Sequence, residues 1–369
     1  MNIGKFKLLF LALGTPLLWS GCSRGLPLEE DDFPLTERDE LTEIRLQSVA
    51  SPLEGSTRAP FIGGIKEGNS LVAKVLLSGV SGKYLEGETS GYHNGSMTFD
   101  GLTSTKGFNT RQYYPADGSD IYLYGLYPAE DRWTNYTGEV TTVDFTFDGK
   151  TDVMAAAQVA TNKAEAKAGT YKELKFRHLL TNLIVLAQVG TEGGVVAKDI
   201  QDAWGRITGI ELTKALGVAP NDKVTVGLSS TEATPVAPVY STSGAYGVKF
   251  YNASGTGYPV DGVSDPFSFK DTPLSASEGS ATVIPETAKA VAYSLIAPVN
   301  ATGGTNDFEL LVKTERNTGG IPVNISLSKA GNTAGQYCMV TLTFKNTTIQ
   351  ATASVEDWKE GSTSGGTLQ

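Results

Sequence analysis

The sequence predicts an all-β fold, and three observations support that prediction. Charged residues make up only 19% of the 369 residues and there are 42 glycines, a composition typical of turn-rich β proteins. Apolar residues recur at every second position in many short segments, which is the period of a strand with one buried face. Helix-period stretches are scarce: residues 153–168 predict one short helix, and residues 197–204 a turn of another. The length favours two globular domains.

The first element, residues 1–21, predicts a lipoprotein signal peptide. Lys5 and Lys7 accompany an apolar run that is too short to span a bilayer and is followed by small residues. The motif Trp19-Ser20-Gly21-Cys22 resembles a bacterial lipobox, although an aliphatic residue is usual in place of Trp19. Cys22 is therefore expected to carry a diacylglycerol and an N-acyl chain, which would anchor the protein to a membrane. The alternative is an ordinary secretory signal with an incidental cysteine.

Residues 22–58 predict an acidic leader that contains one candidate strand. Nine acidic and four basic residues give this leader a charge of about −5, which is typical of an extended, solvated tether. Ile44, Leu46, Ser48 and Ala50 fall on one face of the candidate strand. The loop that follows contains Arg58, in a position accessible to a trypsin-like protease.

The first half of the body, residues 59–170, is predicted to form strands separated by turns. Residues 71–77 and 143–147 alternate in hydrophobicity, while residues 121–127 are apolar on both faces, which favours a central strand. Residues 160–169 are the most linker-like interior stretch. They predict the domain boundary, with an N-terminal β-sandwich over 59–170 and a C-terminal β-sandwich over 171–369.

The second half continues in the same way. Alternation recurs in four segments: 224–228, 246–250, 308–312 and 323–327. Between residues 174 and 187 the alternation changes phase, which predicts a β-bulge or bend near Thr181-Asn182. The chain closes in a predicted hairpin, whose last strand points Ile349, Ala351, Ala353 and Val355 to one side.

Five short motifs, taken in order, resemble those of the fimbrillin-like proteins of Bacteroidales-type bacteria, the type V pilins. They are the lipobox at Cys22, the loop Thr57-Arg58-Ala59-Pro60, the segment Tyr113-Tyr114-Pro115, the strand FRHLLTNL at 176–183 and the closing segment VEDWKEG at 355–361. Each motif is short, and the weight of the resemblance comes from their order and spacing over nearly the whole chain.

The resemblance implies two transthyretin-like (Ig-like Greek-key) β-sandwich domains, export as a lipoprotein, and display in an adhesive fimbrium at the outer membrane and cell surface. It also implies maturation by an arginine-specific protease, and the bond between Arg58 and Ala59 fits that step. The implied partners are other fimbrial subunits of the same or a related kind, with a host protein or glycan as adhesion ligand. No cofactor is expected beyond the acyl chains on Cys22.

Removal of the leader strand has a physical rationale. While residues 44–50 fill a sheet edge, the precursor has no open edge, and after their removal a strand from a neighbouring subunit could pair there. The terminal strand that carries Ile349 and Val355 is the candidate donor, although it could equally complete its own sandwich. Only eleven residues follow Trp358, with no second apolar strand, which favours a tip, accessory or anchor subunit over a stalk subunit.

Other classes of function are disfavoured by the composition. A net charge of −10 without any basic run argues against nucleic acid as a partner. Two histidines and two cysteines are too few for a Cys/His zinc cluster, and no nucleophile elbow, phosphate loop or zinc-helix motif is present, so no enzyme is expected. His178 is expected to be structural and His93 a turn residue. Residues 148–152 are predicted to form a turn rather than a calcium loop, because they lack a terminal bidentate Glu.

A span rich in tyrosine supports an alternative function, that of a lipid-anchored glycan-binding protein for polysaccharide capture at the outer membrane. Exposed aromatic rings can stack on sugars, whereas buried rings would form the core of the first sandwich, which is the favoured interpretation. Loss of glycan binding in a Trp133→Ala variant would favour the alternative. The span contains Tyr113, Tyr114, Tyr122, Tyr124, Tyr127, Trp133 and Tyr136.

Overall fold

Strands dominate the part of the chain that the structure describes, which confirms the all-β prediction. The computed structural model describes residues 41–50, 53–54, 62–63, 70–85, 94–99, 105–130, 132–134, 138–215, 223–231, 236–241, 247–257, 263–277, 279–299, 307–327 and 334–357. Within these ranges lie 24 strands, two α-helices and one turn of 3-10 helix.

The elements before residue 170 are β1 (Arg45–Ala50), β2 (Leu53–Glu54), β3 (Ile62–Gly63), β4 (Leu71–Ser78), β5 (Tyr84–Leu85), β6 (Asn94–Phe99), β7 (Lys106–Gly107), β8 (Ile121–Tyr127), β9 (Trp133–Thr134), β10 (Glu139–Val140), β11 (Thr142–Thr146), β12 (Met154–Thr161) and α1 (Lys163–Lys167).

The later elements are β13 (Glu173–His178), β14 (Thr181–Val189), the 3-10 turn (Glu192–Gly194), α2 (Ala197–Trp204), β15 (Ile207–Ala215), β16 (Lys223–Gly227), β17 (Val239–Tyr240), β18 (Tyr251–Ser254), β19 (Ser268–Pro273), β20 (Lys289–Ile296), β21 (Phe308–Thr314), β22 (Ile321–Ile325), β23 (Gln336–Phe344) and β24 (Ile349–Asp357).

A seven-stranded sheet with the order β6-β4-β8-β12-β13-β1-β7 organises the first half. One of its faces contributes Tyr124 to a core cluster that also contains Phe145 and Val226, from the four-stranded sheet β17-β16-β11-β9. The other face contributes Phe99 and Phe176 to a second buried cluster. The sheet therefore buries apolar side chains on both faces, as the pattern of residues 121–127 predicts.

A six-stranded sheet with the order β19-β18-β20-β14-β23-β24 organises the second half, together with the three-stranded sheet β15-β21-β22. Val185, Leu310 and Val340, from strands of both sheets, lie in one core cluster. Strand β14 lies between antiparallel β20 and parallel β23. This central position explains its nearly continuous apolar sequence, because both faces of the strand are buried.

The one short helix predicted within 153–168 is found, but only near the end of that range. Residues Met154–Thr161 form β12, which pairs with β8 on one side and β13 on the other, and only Lys163–Lys167 are helical. Alanine favours a helix, but strand pairing on both sides outweighs that preference here. The side chain of Asn162 caps the short helix by accepting a hydrogen bond from the Glu165 amide. The helix predicted at 197–204 is confirmed.

The predicted bulge or bend near Thr181-Asn182 is in fact a change of sheet. Strand β13 ends at His178 in the seven-stranded sheet, and β14 begins at Thr181 in the six-stranded sheet. Leu179 between them is buried, and its amide donates to the Val153 carbonyl at 2.8 Å. The alternation changes phase because the two strands face different neighbours.

The division of the body at residue 170 stays a prediction. Strand β13, which begins just after it, pairs with β12 in the seven-stranded sheet. Strand β16 pairs with β11 over five residues, so a segment from the second half of the sequence completes a sheet that contains β9 and β11. Both of these sheets therefore combine strands from before and after residue 170.

The turn after β11 is held by the Asp148 carboxylate. Its Oδ1 accepts hydrogen bonds from the amides of Lys150 at 3.0 Å and Thr151 at 2.8 Å, and Arg132 donates to its Oδ2 at 3.2 Å. Burial alone would raise the pKa of Asp148, but these hydrogen bonds and the Arg132 charge outweigh it and lower the pKa. These bonds agree with the prediction of a turn.

Acid is expected to weaken this turn. Because the pKa of Asp148 is lower in the folded protein than in the unfolded chain, its stabilisation is present at neutral pH and is lost as the pH falls through the folded-state value. Asp148→Asn is expected to reduce stability at neutral pH and to narrow the stability difference between neutral pH and about pH 3. Urea unfolding at both pH values measures this, with Asp199→Asn, at an exposed position on α2, as the control. An unchanged pH dependence in Asp148→Asn would contradict the assignment.

Candidate functional site

The leader strand β1 lies between two other strands. It pairs in parallel with β13, where Gln47 to Ala50 face Glu173 to Phe176 in register, and in antiparallel fashion with β7 through Arg45 and Leu46. The expectation that residues 44–50 fill a sheet edge therefore needs one correction, because β7 covers the first two residues of the strand. A strand of two residues such as β7 has no recognisable signal in the sequence.

Two side chains fasten β1 to the core. Ile44 and Leu46 are fully buried and belong to the same cluster as Met97, Phe99 and Phe176. Between them, Arg45 points to solvent and forms an ion pair with Glu43 at 2.8 Å. The alternation predicted for Ile44 and Leu46 is confirmed. The side chains of Ser48 and Ala50 lie outside the described residues.

Backbone hydrogen bonds hold both ends of this segment. The Ile44 amide donates to the Gln112 carbonyl at 2.9 Å, and the Gln47 amide donates to the Lys172 carbonyl at 2.8 Å. Gly107 lies opposite Arg45, and a Cβ there would lie 2.5 Å from a Glu43 carboxylate oxygen, so a larger residue would displace the Glu43 side chain. The segment 106–114 thus forms one wall of the place that β1 occupies, which we call the β1 slot.

Three predicted modification residues cannot be placed. Cys22, Arg58 and Ala59 all lie outside the described residues. Their roles in lipidation and proteolytic maturation stay predictions.

The terminal strand β24 is an edge strand of the six-stranded sheet. It pairs with β23 along all nine residues, from Ile349 opposite Phe344 to Asp357 opposite Gln336. Its predicted apolar face packs against the main core cluster, while Gln350, Thr352 and Ser354 are exposed. The residues of that face are Ile349, Ala351, Ala353 and Val355. In the monomer this strand completes its own sheet.

The tyrosine-rich span is mostly core. Tyr114, Tyr124 and Trp133 are buried, Tyr122 and Tyr127 are partly buried, and Tyr136 lies outside the described residues. Tyr113 is 40% exposed. Burial raises the pKa of Tyr124 to about 12. A platform of stacked, exposed rings is therefore not available in the described part of this span.

Trp133→Ala is expected to lower the free energy of unfolding by about 3 kcal/mol, because it empties a core site. Trp133 is 2% exposed, its ring centroid lies 4.9 Å from that of Phe145, and its indole N–H donates to the Pro128 carbonyl at 2.9 Å. Urea denaturation measures the loss, with Tyr113→Ala as an aromatic control at an exposed position. Equal stability of the two variants would contradict this placement. Trp133→Ala is also a poor test of glycan binding, since it perturbs the fold.

His178 lies at the end of β13, where its Nδ1 is 2.8 Å from a carboxylate oxygen of the buried Asp152. This contact agrees with the structural role predicted for His178, and His93 lies outside the described residues. Over the described ranges, no group of three or more His, Cys, Asp or Glu side chains is arranged to hold a metal ion. Helices long and apolar enough to cross a membrane are likewise not found among the described residues.

A family model described as fimbrillin-like matches residues 57–358, which is well over half of the chain. The chain belongs to the fimbrillin-like family. Membership of this family supports a role as a fimbrial adhesin at the cell surface. The matched region contains nearly all the strands described above, whereas β1 and β2 lie before it. The chain has no significant match among curated proteins.

Solved structures similar to this fimbrillin-like chain include three proteins at low identity. A putative cell adhesion protein from Bacteroides uniformis is 14% identical, covering 86% of this chain and 98% of its own, with a TM-score of 0.47. A fimbrial protein from Bacteroides vulgatus is 16% identical, covering 86% and 99%, with a TM-score of 0.42. The C-terminally truncated tip fimbrial protein Mfa3 from Porphyromonas gingivalis is 10% identical, covering 86% and 99%, with a TM-score of 0.34. The family assignment rests on the sequence match.

Proposed function

We propose that this chain is a fimbrial subunit that is exported as a lipoprotein through Cys22, cut after Arg58, and assembled by strand exchange at the β1 slot. The observation that carries the proposal is the complete burial of Leu46 in β1 and of Ile44 immediately before it, in a segment that lies upstream of the family match at 57–358. This strand lies outside the region that the family model matches, yet its side chains fill the core of that region. Another strand with similar side chains could therefore take its place.

Vacating the slot would create a binding site for another strand. The backbone of β13 from Glu173 to Phe176 would lose its parallel partner, and the pockets of Ile44 and Leu46 would open to solvent. A strand with large apolar residues two positions apart would restore both the hydrogen bonds and the buried area.

Cleavage after Arg58 alone does not break these contacts. Each fully buried side chain of this size contributes about 1.5–3 kcal/mol, so the cut segment should stay bound until a competing strand displaces it. We therefore separate two steps, a proteolytic cut that makes exchange possible and a displacement that completes it.

The position of β24 supports a tip or accessory subunit. To donate this strand, the chain would have to break its nine residue pairs with β23 and expose the side chains of Ile349 and Val355. A subunit that accepts a strand and keeps its own last strand ends a polymer. The outer membrane, through the lipid on Cys22, and other fimbrial subunits are the partners that this function requires.

The test uses purified full-length protein and an arginine-specific protease. We expect one trimmed product that begins at Ala59 and that either polymerises or binds a peptide with the β1 sequence EIRLQSVA or the β24 sequence TIQATASVED. N-terminal sequencing, size-exclusion chromatography with light scattering, and peptide titration give the readouts. In cells, a lipidated Cys22 as the mature N-terminus would indicate an anchored subunit, and Ala59 an assembled one.

Arg58→Lys should block trimming, and Arg38→Lys in the same leader is the matched control that should not. A trimmed protein that stays monomeric and binds neither peptide would overturn strand exchange. Trimming that persists in Arg58→Lys would show that the protease cuts at a different residue.

A further inference from the structure

A polar groove lies on the six-stranded sheet, away from the β1 slot. It has a volume of about 550 Å³, which is in the range of small-molecule sites. Strands β18, β19 and the start of β20 contribute one side of its lining, and the segment 279–285 contributes another. We call it the β18–β19 groove.

The groove interrupts the apolar character of this sheet. Over β14 and β23 the sheet contributes apolar residues such as Val185 and Val340 to the main core cluster. Over β18 and β19 the residues that line the groove are mostly polar, namely Asn252, Ser254, Lys270 and Thr272, with Ala253 beside them. Alternate residues of the same two strands, such as Ala253 and Phe269, pack in a separate apolar cluster. The strands are therefore amphipathic, and their polar side faces the groove.

Asn252 gives the groove a donor whose amide group is held in place. The residue is 7% exposed and lines the groove, and its Oδ1 accepts a hydrogen bond from the Thr282 hydroxyl at 3.1 Å. This bond fixes the amide, but its Nδ2 has no hydrogen-bond acceptor within the described part of the chain. Because Asn252 lines the groove, these two N–H donors are available to a bound ligand.

The groove has one positive charge that no carboxylate among the described residues offsets. Lys289 lies 3.8 Å from the Asp265 carboxylate, so these two charges offset one another. Lys270 is exposed and has no carboxylate within ion-pair distance in the described ranges. One ammonium group therefore remains to attract an anion.

We infer that the β18–β19 groove binds an acidic saccharide, a sugar unit that combines several hydroxyl groups with one carboxylate. Sugar hydroxyls both donate and accept, and the groove offers donors on Asn252, an acceptor on Asp265 and the hydroxyls of Ser254, Thr272 and Thr282. The carboxylate would pair with Lys270. This binding does not depend on strand exchange, because the groove is present while β1 occupies its slot.

The test uses the uncleaved full-length protein on an array of glycans that end in uronic acids or sialic acids, printed beside their neutral counterparts. We expect retention on acidic termini, and weaker binding at higher salt because ions screen the exposed Lys270. Asn252→Ala should weaken binding by about tenfold, which corresponds to the loss of one or two hydrogen bonds. Lys270→Glu should weaken acidic binding by about tenfold or more and spare neutral sugars.

Two matched controls accompany these variants. Asn324→Ala changes an exposed strand asparagine on β22, and Lys167→Glu reverses an exposed lysine at the end of α1. Both should bind as the wild type does. Because Asn252→Ala could disturb folding, its thermal midpoint is measured, and the exposed Lys270 variant decides the outcome if that midpoint falls.

Several results would overturn this inference. Binding of no glycan would leave the groove as a hydrated surface filled by water. If Lys270→Glu and Asn252→Ala leave binding unchanged, the ligand binds elsewhere. Binding to neutral sugars alone would show that the groove does not recognise a carboxylate. A failed trimming assay with intact glycan binding would count only against strand exchange.

Discussion

Leu46→Asp is expected to lower the free energy of unfolding by about 4–5 kcal/mol, among the largest losses a single substitution causes. Leu46 is fully buried in β1, and its backbone pairs with Lys106 of β7. A carboxylate at this position would be removed from water without a partner, and the apolar contacts of Leu46 would be lost as well. The expected consequence is release of β1 from its slot before any cleavage.

Two measurements check this result. Urea denaturation gives the stability loss, and titration with the β1 peptide EIRLQSVA asks whether the uncleaved variant now accepts a strand. Arg45→Gln is the control on the same strand, because Arg45 is exposed and its ion pair with Glu43 should contribute only about 0–1 kcal/mol. If Leu46→Asp is as stable as Arg45→Gln, β1 does not hold the core together and strand exchange loses its physical basis.

Gly149→Ala is expected to cost about 4 kcal/mol, because it combines backbone strain with a steric clash. Gly149 has a φ of +88°, and a Cβ there would lie 2.4 Å from the Lys249 carbonyl oxygen and 2.8 Å from the Ser294 hydroxyl. The turn cannot simply move away, since the Leu295 amide donates to the Gly149 carbonyl at 2.6 Å. The substitution would separate this turn from the strands of the second half.

Gly118 provides the matched control. Its φ is +73°, close to that of Gly149, but a Cβ there would meet no atom within 4 Å. Gly118→Ala should therefore show the backbone strain alone, about 1 kcal/mol. Chemical denaturation of both variants separates the clash from the strain, and equal losses would mean that the contact between Gly149 and Lys249 is not tight.

The candidate site could be predicted in part. The alternation of Ile44 and Leu46 is visible in the sequence, because a half-buried strand repeats every two residues. Its neighbours were not predictable. Strand β7 has only two residues, and the parallel pairing of β1 with β13 joins segments more than a hundred residues apart. Local pattern carries no information on which distant strand supplies the hydrogen bonds.

The tyrosine-rich span is a second case in which the sequence pattern does not show where the side chains lie. Its composition is compatible with either a sugar platform or a core, and the burial of Tyr124 and Trp133 decides for the core. The β18–β19 groove gave no comparable signal. Asn252, Thr282 and Lys270 belong to separate segments, and they come together only when the sheet and the segment 279–285 fold against each other.

Composition, short-range periodicity and ordered motifs are enough to predict the all-β class, the amphipathic faces of strands such as β24, and the family. The pairing partners of each strand, in contrast, depend on the tertiary structure and cannot be predicted from periodicity. Residues 154–161 are a strand because β8 and β13 pair with them on both sides, and the chain changes sheet at Leu179 because its next strand finds different partners. The physical reason is that hydrogen-bond pairing between distant strands is non-local, so the same local sequence can serve more than one neighbour.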